Sequence, residues 1–518
     1  MDRLRLLVVE NHTSWLEELL KILRRLGGNP QIDTAQTLQE AIGRIAPESH
    51  EPYDLAVVDL ALCDIPTDIE APDELGWELL KKLRDNRQNQ DCGVIVLTGY
   101  SSSKRMRQAL RTYDAYDLIE KNNFSSAVFL EVACGAIADA RIRRADRCNK
   151  ERYRLTINFG REHLGGVSLQ GPARRLDHVS EKQHCLDTAD LARRADNLNQ
   201  LIHNGGPELW RPEARSIGDA IGDVIAGDRH IFSTLGVAQA LVVHFSDLWI
   251  EFSGPAEGLG IPFELLRDRD EYLALNHMMT RRVVSSRFPM SRKPEAFLKY
   301  IQQIVKCRKP LRALIVAVNS DGRIPAVEDE AASVASILSA TLKQLGLQGQ
   351  VDLLSGEQAT LEAVEDRLRN GAYQLFHYAG HGRFDDKLPE ISGLVFRSGN
   401  QPHVLTAANL NQLMANSELR LVYVSACFSA RTAEQVGRGD FFGVMEAIAR
   451  ADVPNVVGYR WTVGDKAALQ IAESFYSALW RTLSPAEAMR KARSLAATGS
   501  KGRDNYSWAS PILLMQNE

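Results

Sequence analysis

Leu375-Phe376-His377-Tyr378-Ala379-Gly380-His381-Gly382 and Leu421-Val422-Tyr423-Val424-Ser425-Ala426-Cys427 are the two stretches on which the fold of this chain turns. Each is a continuous apolar run of strand length, the pattern of a strand buried on both faces of a parallel sheet rather than of a half-solvated one. Each ends in a reactive side chain, His381 in one and Cys427 in the other, 46 residues apart. In open α/β sheets, functional groups gather outside the carboxyl ends of the strands. Neighbouring strands that end in an imidazole and a thiol predict a nucleophile, Cys427, beside its base, His381. Alone, a cysteine at a strand end is ordinarily a small buried hydrophobe; the two motifs together point to chemistry. His377, on the same strand as His381, is read as a structural hydrogen-bonder, and Asp385 and Asp386 as solvated loop carboxylates.

The order His then Cys, separated by about fifty residues, resembles that of caspase-like chains. Ser425-Ala426-Cys427 also resembles the small-residue lead-in to the caspase nucleophile. The resemblance, to the cysteine peptidases of clan CD, implies that His381 activates Cys427 and then protonates the leaving amine. It implies further that the backbone N–H groups of Gly382 and Cys427 receive the oxyanion; a glycine at 382 leaves room for close approach. Ser429-Ala430 stands where related proteins often have Ser-Gly. In Arg-specific metacaspases, an acid two positions before the Cys takes the basic side chain of the residue before the cut. Here that position is Ser425, so that device is missing. Separases carry an aspartate in a Trp-Asp-Val-Thr-Asp phrase downstream of the Cys, and this chain has Trp461-Thr462-Val463-Gly464-Asp465. Two readings stay open for Asp465: partner of a substrate Arg or Lys, or N-cap of a helix starting at Lys466. Trp461 either walls the same pocket or belongs to the core.

Working outward, strands are predicted at Leu311–Val318, Val351–Leu354 and Val453–Gly458, with helices at Glu328–Leu345, Leu361–Leu368, Lys466–Leu483 and Pro485–Leu495. Upstream lie Leu248-Trp249-Ile250-Glu251-Phe252, the phrase Ile261-Pro262-Phe263-Glu264-Leu265-Leu266, the run Tyr272-Leu273-Ala274-Leu275, and Arg281-Arg282-Val283. This succession resembles CHAT domains, caspase-like proteins in which an I-P-[WF]-E-L-L phrase precedes a short apolar strand and an arginine. The resemblance covers residues 155–518 and is strongest from 248 onward. Residues 155–245 read less clearly, with helical spacing over Asp187–Ile202 and Ile217–Gly227, and no repeat of 20–50 residues is visible.

Residues 1–142 alternate short apolar strands (Leu4–Val9, Leu55–Leu60, Val94–Thr98, Tyr116–Glu120) with helices (Thr13–Leu26, Trp77–Arg84, Lys104–Thr112, Ser125–Ile142). That alternation predicts a doubly wound parallel sheet. The strand ends carry Glu10 and Asn11, Asp59, Thr98 and Lys121, a set that resembles the receiver domain of response regulators. The resemblance implies Asp59 as phosphoacceptor, Thr98 and Lys121 as the switch residues that read the phosphoryl group, and a Mg²⁺ site at Glu10 and Asp59. Departures are Asn11 in place of an acid, Leu118 where the family usually has an aromatic residue, Asn122 after the lysine, and an acidic insertion at 64–74. Losing a carboxylate weakens a site for Mg²⁺, which takes hard oxygen ligands, so phosphorylation-driven switching and a receiver kept only for docking both stay open.

Composition bounds the rest. The 518 residues are 44% hydrophobic and 25% charged with a net charge of −4, ordinary for a globular chain, and give no basic excess for nucleic acid. The local cluster Arg141-Ile142-Arg143-Arg144 is read as a solvated helix end. No signal peptide or membrane span is recognised, and seven scattered cysteines without CxxC pairs predict a reduced, cytoplasmic protein without a zinc site. The expected fold class is therefore α/β: a receiver-like, flavodoxin-like sheet (1–142), a charged linker (143–154), and a caspase-like CHAT domain with a mostly parallel sheet (155–518, its catalytic part from 301). The expected function is a regulated cysteine endopeptidase that needs no cofactor for catalysis. The resemblances imply that it would cut a partner protein encoded nearby, in stress or anti-phage signalling, with a histidine kinase or docking protein at the receiver. The alternative is a catalytically inactive CHAT scaffold.

Overall fold

A computed structural model describes residues 3–46, 51–62, 74–99, 102–160, 164–179, 187–204, 207–242, 244, 247–255, 260–284, 293, 296–320, 322–385, 391–398, 401–426, 433–434, 441–498 and 506–516. Cys427 and the acidic insertion after Asp59 lie outside the described residues. Two compact units divide the chain: residues 1–147 with the short segments 302–310 and 339–349, and the remainder.

The N-terminal unit holds a five-stranded, wholly parallel sheet in the order Gln31–Ala35, Arg5–Val9, Leu55–Asp59, Gly93–Thr98, Asp117–Glu120. Its three central strands are buried at every position, as their unbroken apolar runs predict. The edge strand Gln31–Ala35 was not foreseen. Most of its residues are half-exposed, so its sequence carries only a weak strand signal.

The residues expected to form a linker, 143–154, continue the last helix, which runs Ser126–Glu151, and the boundary between the two units falls among them, after Arg147; the next strand begins at Tyr153. The arginines of this stretch are not a solvated helix end either. Arg141 is 5% exposed and faces Asp54 at 3.4 Å. Arg144 donates to the Tyr53 carbonyl at 2.7 Å, Arg147 to Asp91 at 2.7 Å, and Arg143 pairs with Asp114. Those acceptors come from loops distant in sequence, so no local pattern announces them.

The second unit is built on an eleven-stranded mixed sheet. Gly349–Leu354, Leu311–Val318, Leu375–Gly380, Leu421–Ser425 and Asn455–Tyr459 form one side, and from Leu311–Val318 to Asn455–Tyr459 the strands run parallel. Pro511–Met515 joins antiparallel, then pairs parallel with Met278–Val283, followed by Leu248–Gly254 and Tyr153–Phe159. The antiparallel Leu164–Gln170 and Arg175–Val179 close the order. The two decisive stretches are thus adjacent central strands, in register Ala379↔Ser425.

The Ile-Pro-Phe-Glu-Leu-Leu phrase has a physical reason. Glu264, in the short helical turn Phe263–Leu265, is fully buried between two guanidinium groups, Arg281 and Arg493. Arg493, on the helix Pro485–Thr498, also donates to the Met279 and Pro511 carbonyls at 3.2 and 2.7 Å, so the cluster ties two strands, a helix and the turn together. Burial pushes both guanidinium groups below their ordinary range, Arg493 to about 10, with Glu264 opposing.

Candidate functional site

The strand Leu375–Gly380 delivers His381 to the carboxyl edge of the sheet. Gly380 precedes it because a Cβ there would lie 2.5 Å from the Tyr378 hydroxyl and 3.0 Å from the Val318 carbonyl. The backbone at His381 is then fixed from the far side: Val395 N–H donates to its carbonyl at 3.0 Å, and the Tyr378 hydroxyl sits 3.0 Å from the same oxygen. Gly382 and Leu394 face each other in the antiparallel ladder that follows. With the ladder bond running from Val395 to His381, that pair is a non-hydrogen-bonded one. The N–H of Gly382 is therefore directed away from this ladder, which is what an oxyanion donor requires.

On the neighbouring strand, Ser425 and Ala426 are the last described residues before the thiol, and they share a cleft with His381. Asp465 lines the same cleft. It is the exposed first residue of the helix Asp465–Thr482, whose N-cap is Gly464. The capping alternative is thus corrected: Asp465 sits one position inside the helix, where its charge suits the helix dipole, and its side chain borders the cleft. Trp461 is corrected in the other direction. It is 1% exposed, does not line the cleft, and holds Ser510 through its backbone, accepting from the Ser510 hydroxyl at 2.9 Å. Tyr459 and Val463, flanking it, supply the apolar wall instead.

Sequence reasoning missed Glu330. It is 2% exposed, lines the cleft, and accepts a hydrogen bond from Ser425 Oγ at 3.1 Å. Glu328, Asp329 and Glu330 all look like first-turn acids of a helix, favourable to its dipole. Helical spacing nonetheless puts position 330 beside the buried Val327, Ala331 and Val334, and an acid on that stripe was the signal. His377 is fully buried behind the cleft, with Nδ1 3.3 Å from the Tyr476 hydroxyl and the ring stacked on Tyr423. Asp385 stands apart from the cleft, its backbone N–H bonded to Ser392 Oγ at 3.0 Å.

In the receiver unit the strand ends converge as expected. Glu10, Asp59 and Thr98 are buried, and Asn11 nearly so. Lys121 Nζ reaches Glu10 Oε2 at 2.8 Å and Asp59 Oδ2 at 2.9 Å. Its ammonium also lies 5.6 Å from the Trp15 ring centroid. Burial, together with the Asp59 carboxylate, pushes the Glu10 carboxyl up to about 7, against the opposing pull of Lys121. Two carboxylates held close enough to repel are a fitting donor set for a divalent cation, although Asn11 contributes only a neutral amide. The sign of the resulting pH effect is fixed. A carboxyl raised in the folded state binds its proton more tightly there than in the unfolded chain, so its contribution favours the fold at low pH and is lost as pH rises. Thermal melts without divalent cations should show the receiver losing stability between about pH 4.5 and 7. Glu10→Gln should flatten that window.

The comparisons with known proteins agree with this architecture. The family model of the CHAT domain matches residues 228–516, and that of the response regulator receiver domain matches residues 6–131. The chain belongs to the CHAT family and joins a protease-family domain to a regulatory receiver. No curated protein matches the chain. Among solved structures, a CheY-like response regulator receiver domain protein from Methanospirillum hungatei JF-1 is similar, with 25% identity, coverage of 27% of this chain and 99% of that chain, and a TM-score of 0.23. A two-component response regulator from Clostridium difficile is 24% identical over 26% of this chain and 95% of its own, with a TM-score of 0.21. The receiver domain of the sensor histidine kinase PA1611 from Pseudomonas aeruginosa PAO1, solved with magnesium in its active-site cleft, is 18% identical over 25% and 95%, also at 0.21. No helix among the described residues is long and apolar enough to cross a membrane.

Proposed function

We propose that this chain is a cysteine endopeptidase that cuts a specific partner protein, with Cys427 as nucleophile and His381 as general base and acid. The observation that carries the reading is the cleft at the carboxyl ends of two adjacent strands, where His381 meets Ser425 and Ala426, the residues leading into Cys427. His381 takes the thiol proton as sulfur attacks the scissile carbonyl, and returns it to the leaving amine. The Gly382 and Cys427 N–H groups stabilise the oxyanion, and water then releases the acyl group from sulfur. Asp465, at the cleft, pairs with a basic substrate side chain. The test is incubation with neighbouring-gene products and a proteome-derived peptide library, with cut sites read by mass spectrometry. Cuts that disappear in Cys427→Ala support a peptidase; identical cuts in both proteins contradict it. A partner held in a pull-down without any cut favours the scaffold reading.

The receiver supplies control or docking, through a histidine kinase or a binding protein, in stress or anti-phage signalling. Asp59 is its phosphoacceptor, and Glu10 with Asp59 would hold Mg²⁺, which when bound shields the incoming phosphoryl charge. Lys121 and Thr98 would read the modified acceptor. A shift of a few kcal/mol between two arrangements is enough to gate the peptidase. Asp59→Asn should change cleavage rate or partner affinity; identical values for both proteins leave the receiver as a docking module independent of Asp59.

A further inference from the structure

The cleft beside His381 contains two carboxylates of opposite character. Asp465 is exposed at the start of its helix, whereas Glu330 is 2% exposed. One oxygen of Glu330, Oε2, is held by Ser425 Oγ at 3.1 Å. The other, Oε1, is buried and accepts no hydrogen bond. It lies 3.3 Å from His377 Nε2, at ion-pair distance, but the pair is not on a hydrogen-bonding line, since that nitrogen too lacks a partner. Among the described residues, no lysine or arginine reaches Glu330. A buried carboxylate whose nearest basic group is a histidine, charged only when protonated, costs several kcal/mol unless a permanent cation completes it. The walls around it are apolar or aromatic: Ile324, Val327, Tyr459, Val463 and Ala468. An apolar shaft with a buried acid matches a side chain with a methylene stem and a cationic head.

We propose that Glu330 is the principal specificity-determining residue of this cleft, receiving the guanidinium or ammonium of an arginine or lysine side chain that precedes the cut, with the Ser425 hydroxyl orienting its carboxylate. The device missing from position 425 is thereby supplied from the helix Ala326–Gln344, through Ser425 itself. Asp465 plays the lesser part, because a solvated acid discriminates weakly, whereas a desolvated one left unpaired by the wrong substrate discriminates strongly. The assignment deepens the peptidase reading and rests on it only for turnover; binding of the cation does not depend on Cys427.

The experiment uses the full chain and two readouts. The first is equilibrium binding of benzamidine, a small amidinium probe, to the wild type, Glu330→Gln and Asp465→Asn. The second is kcat/KM on matched peptides with arginine or leucine before the cut. Wild type should bind benzamidine and prefer arginine. Glu330→Gln should lose the probe and cut the arginine-to-leucine ratio by about 100-fold, Asp465→Asn by about 10-fold or less. If Glu330→Gln lowers both peptides equally, leaving the ratio unchanged, the residue is merely structural and the proposal falls. If no peptide is cut but benzamidine binds the wild type and not Glu330→Gln, the peptidase reading fails and the cation site stands. If the wild type neither binds the probe nor prefers arginine, the proposal is overturned.

Discussion

Replacing His381 with alanine should lower kcat/KM by about 10²–10⁴-fold while leaving the fold intact, the range for loss of a positioned general acid–base. The imidazole lies at the cleft edge and is half-exposed, so no core packing is lost with it. The backbone that carries it is held by Val395 and by the Tyr378 hydroxyl, contacts alanine leaves untouched. The loss should therefore appear in rate and not in melting temperature. His377→Ala is the contrasting control. That ring is fully buried among Tyr423, Tyr476 and Glu330, so its removal should lower stability first. Circular dichroism melts alongside turnover of one peptide separate the two histidines. A His381→Ala enzyme with unchanged kcat/KM would remove the dyad from the account.

The largest effect on stability is expected at Glu264→Ala. The change leaves Arg281 and Arg493 buried with no carboxylate between them. Breaking a buried pair from one side typically costs about 3–5 kcal/mol, because the remaining charge stays desolvated. Here one deletion takes the shared carboxylate from two guanidinium groups already held below their ordinary pKa by burial. The denaturant midpoint of the CHAT unit should fall sharply, and Glu264→Gln, which keeps an acceptor without the charge, should fall less. Equal midpoints for wild type and Glu264→Ala would show that the cluster is structurally idle.

How much of this was legible depends on where each signal lies. Strands buried on both faces announce themselves, so Leu375–Gly380, Leu421–Ser425 and the central receiver strands followed from composition alone. The peripheral strands Tyr153–Phe159, Leu164–Gln170 and Arg175–Val179 did not. The last of these buries no residue fully, and an exposed strand has little hydrophobic pattern to show. The helical form of 143–151 was not foreseen because its arginines look solvated until Asp54, Asp91 and Asp114 are brought beside them. At the site, residues inside motifs were named from the sequence, and Glu330, set beside Ser425 by the fold, was not. Glu330 is separated by 95 residues from the serine it binds, a distance no local motif spans. Trp461 looked like a pocket wall by phrase resemblance, yet it lies past the end of its strand, buried and held at its backbone by Ser510, while Val463 lines the cleft.

The account rests on His381 activating Cys427, and alkylation of Cys427 by iodoacetamide as a function of pH tests this without knowledge of the substrate. Labelling at that one cysteine, followed by peptide mass spectrometry, reports its thiolate fraction. An activated thiol should react with an apparent pKa clearly below the free-cysteine value of about 8.5, and His381→Ala should return it towards that value. An ordinary profile in the wild type, unchanged by His381→Ala, would contradict the dyad and leave the CHAT unit as a scaffold.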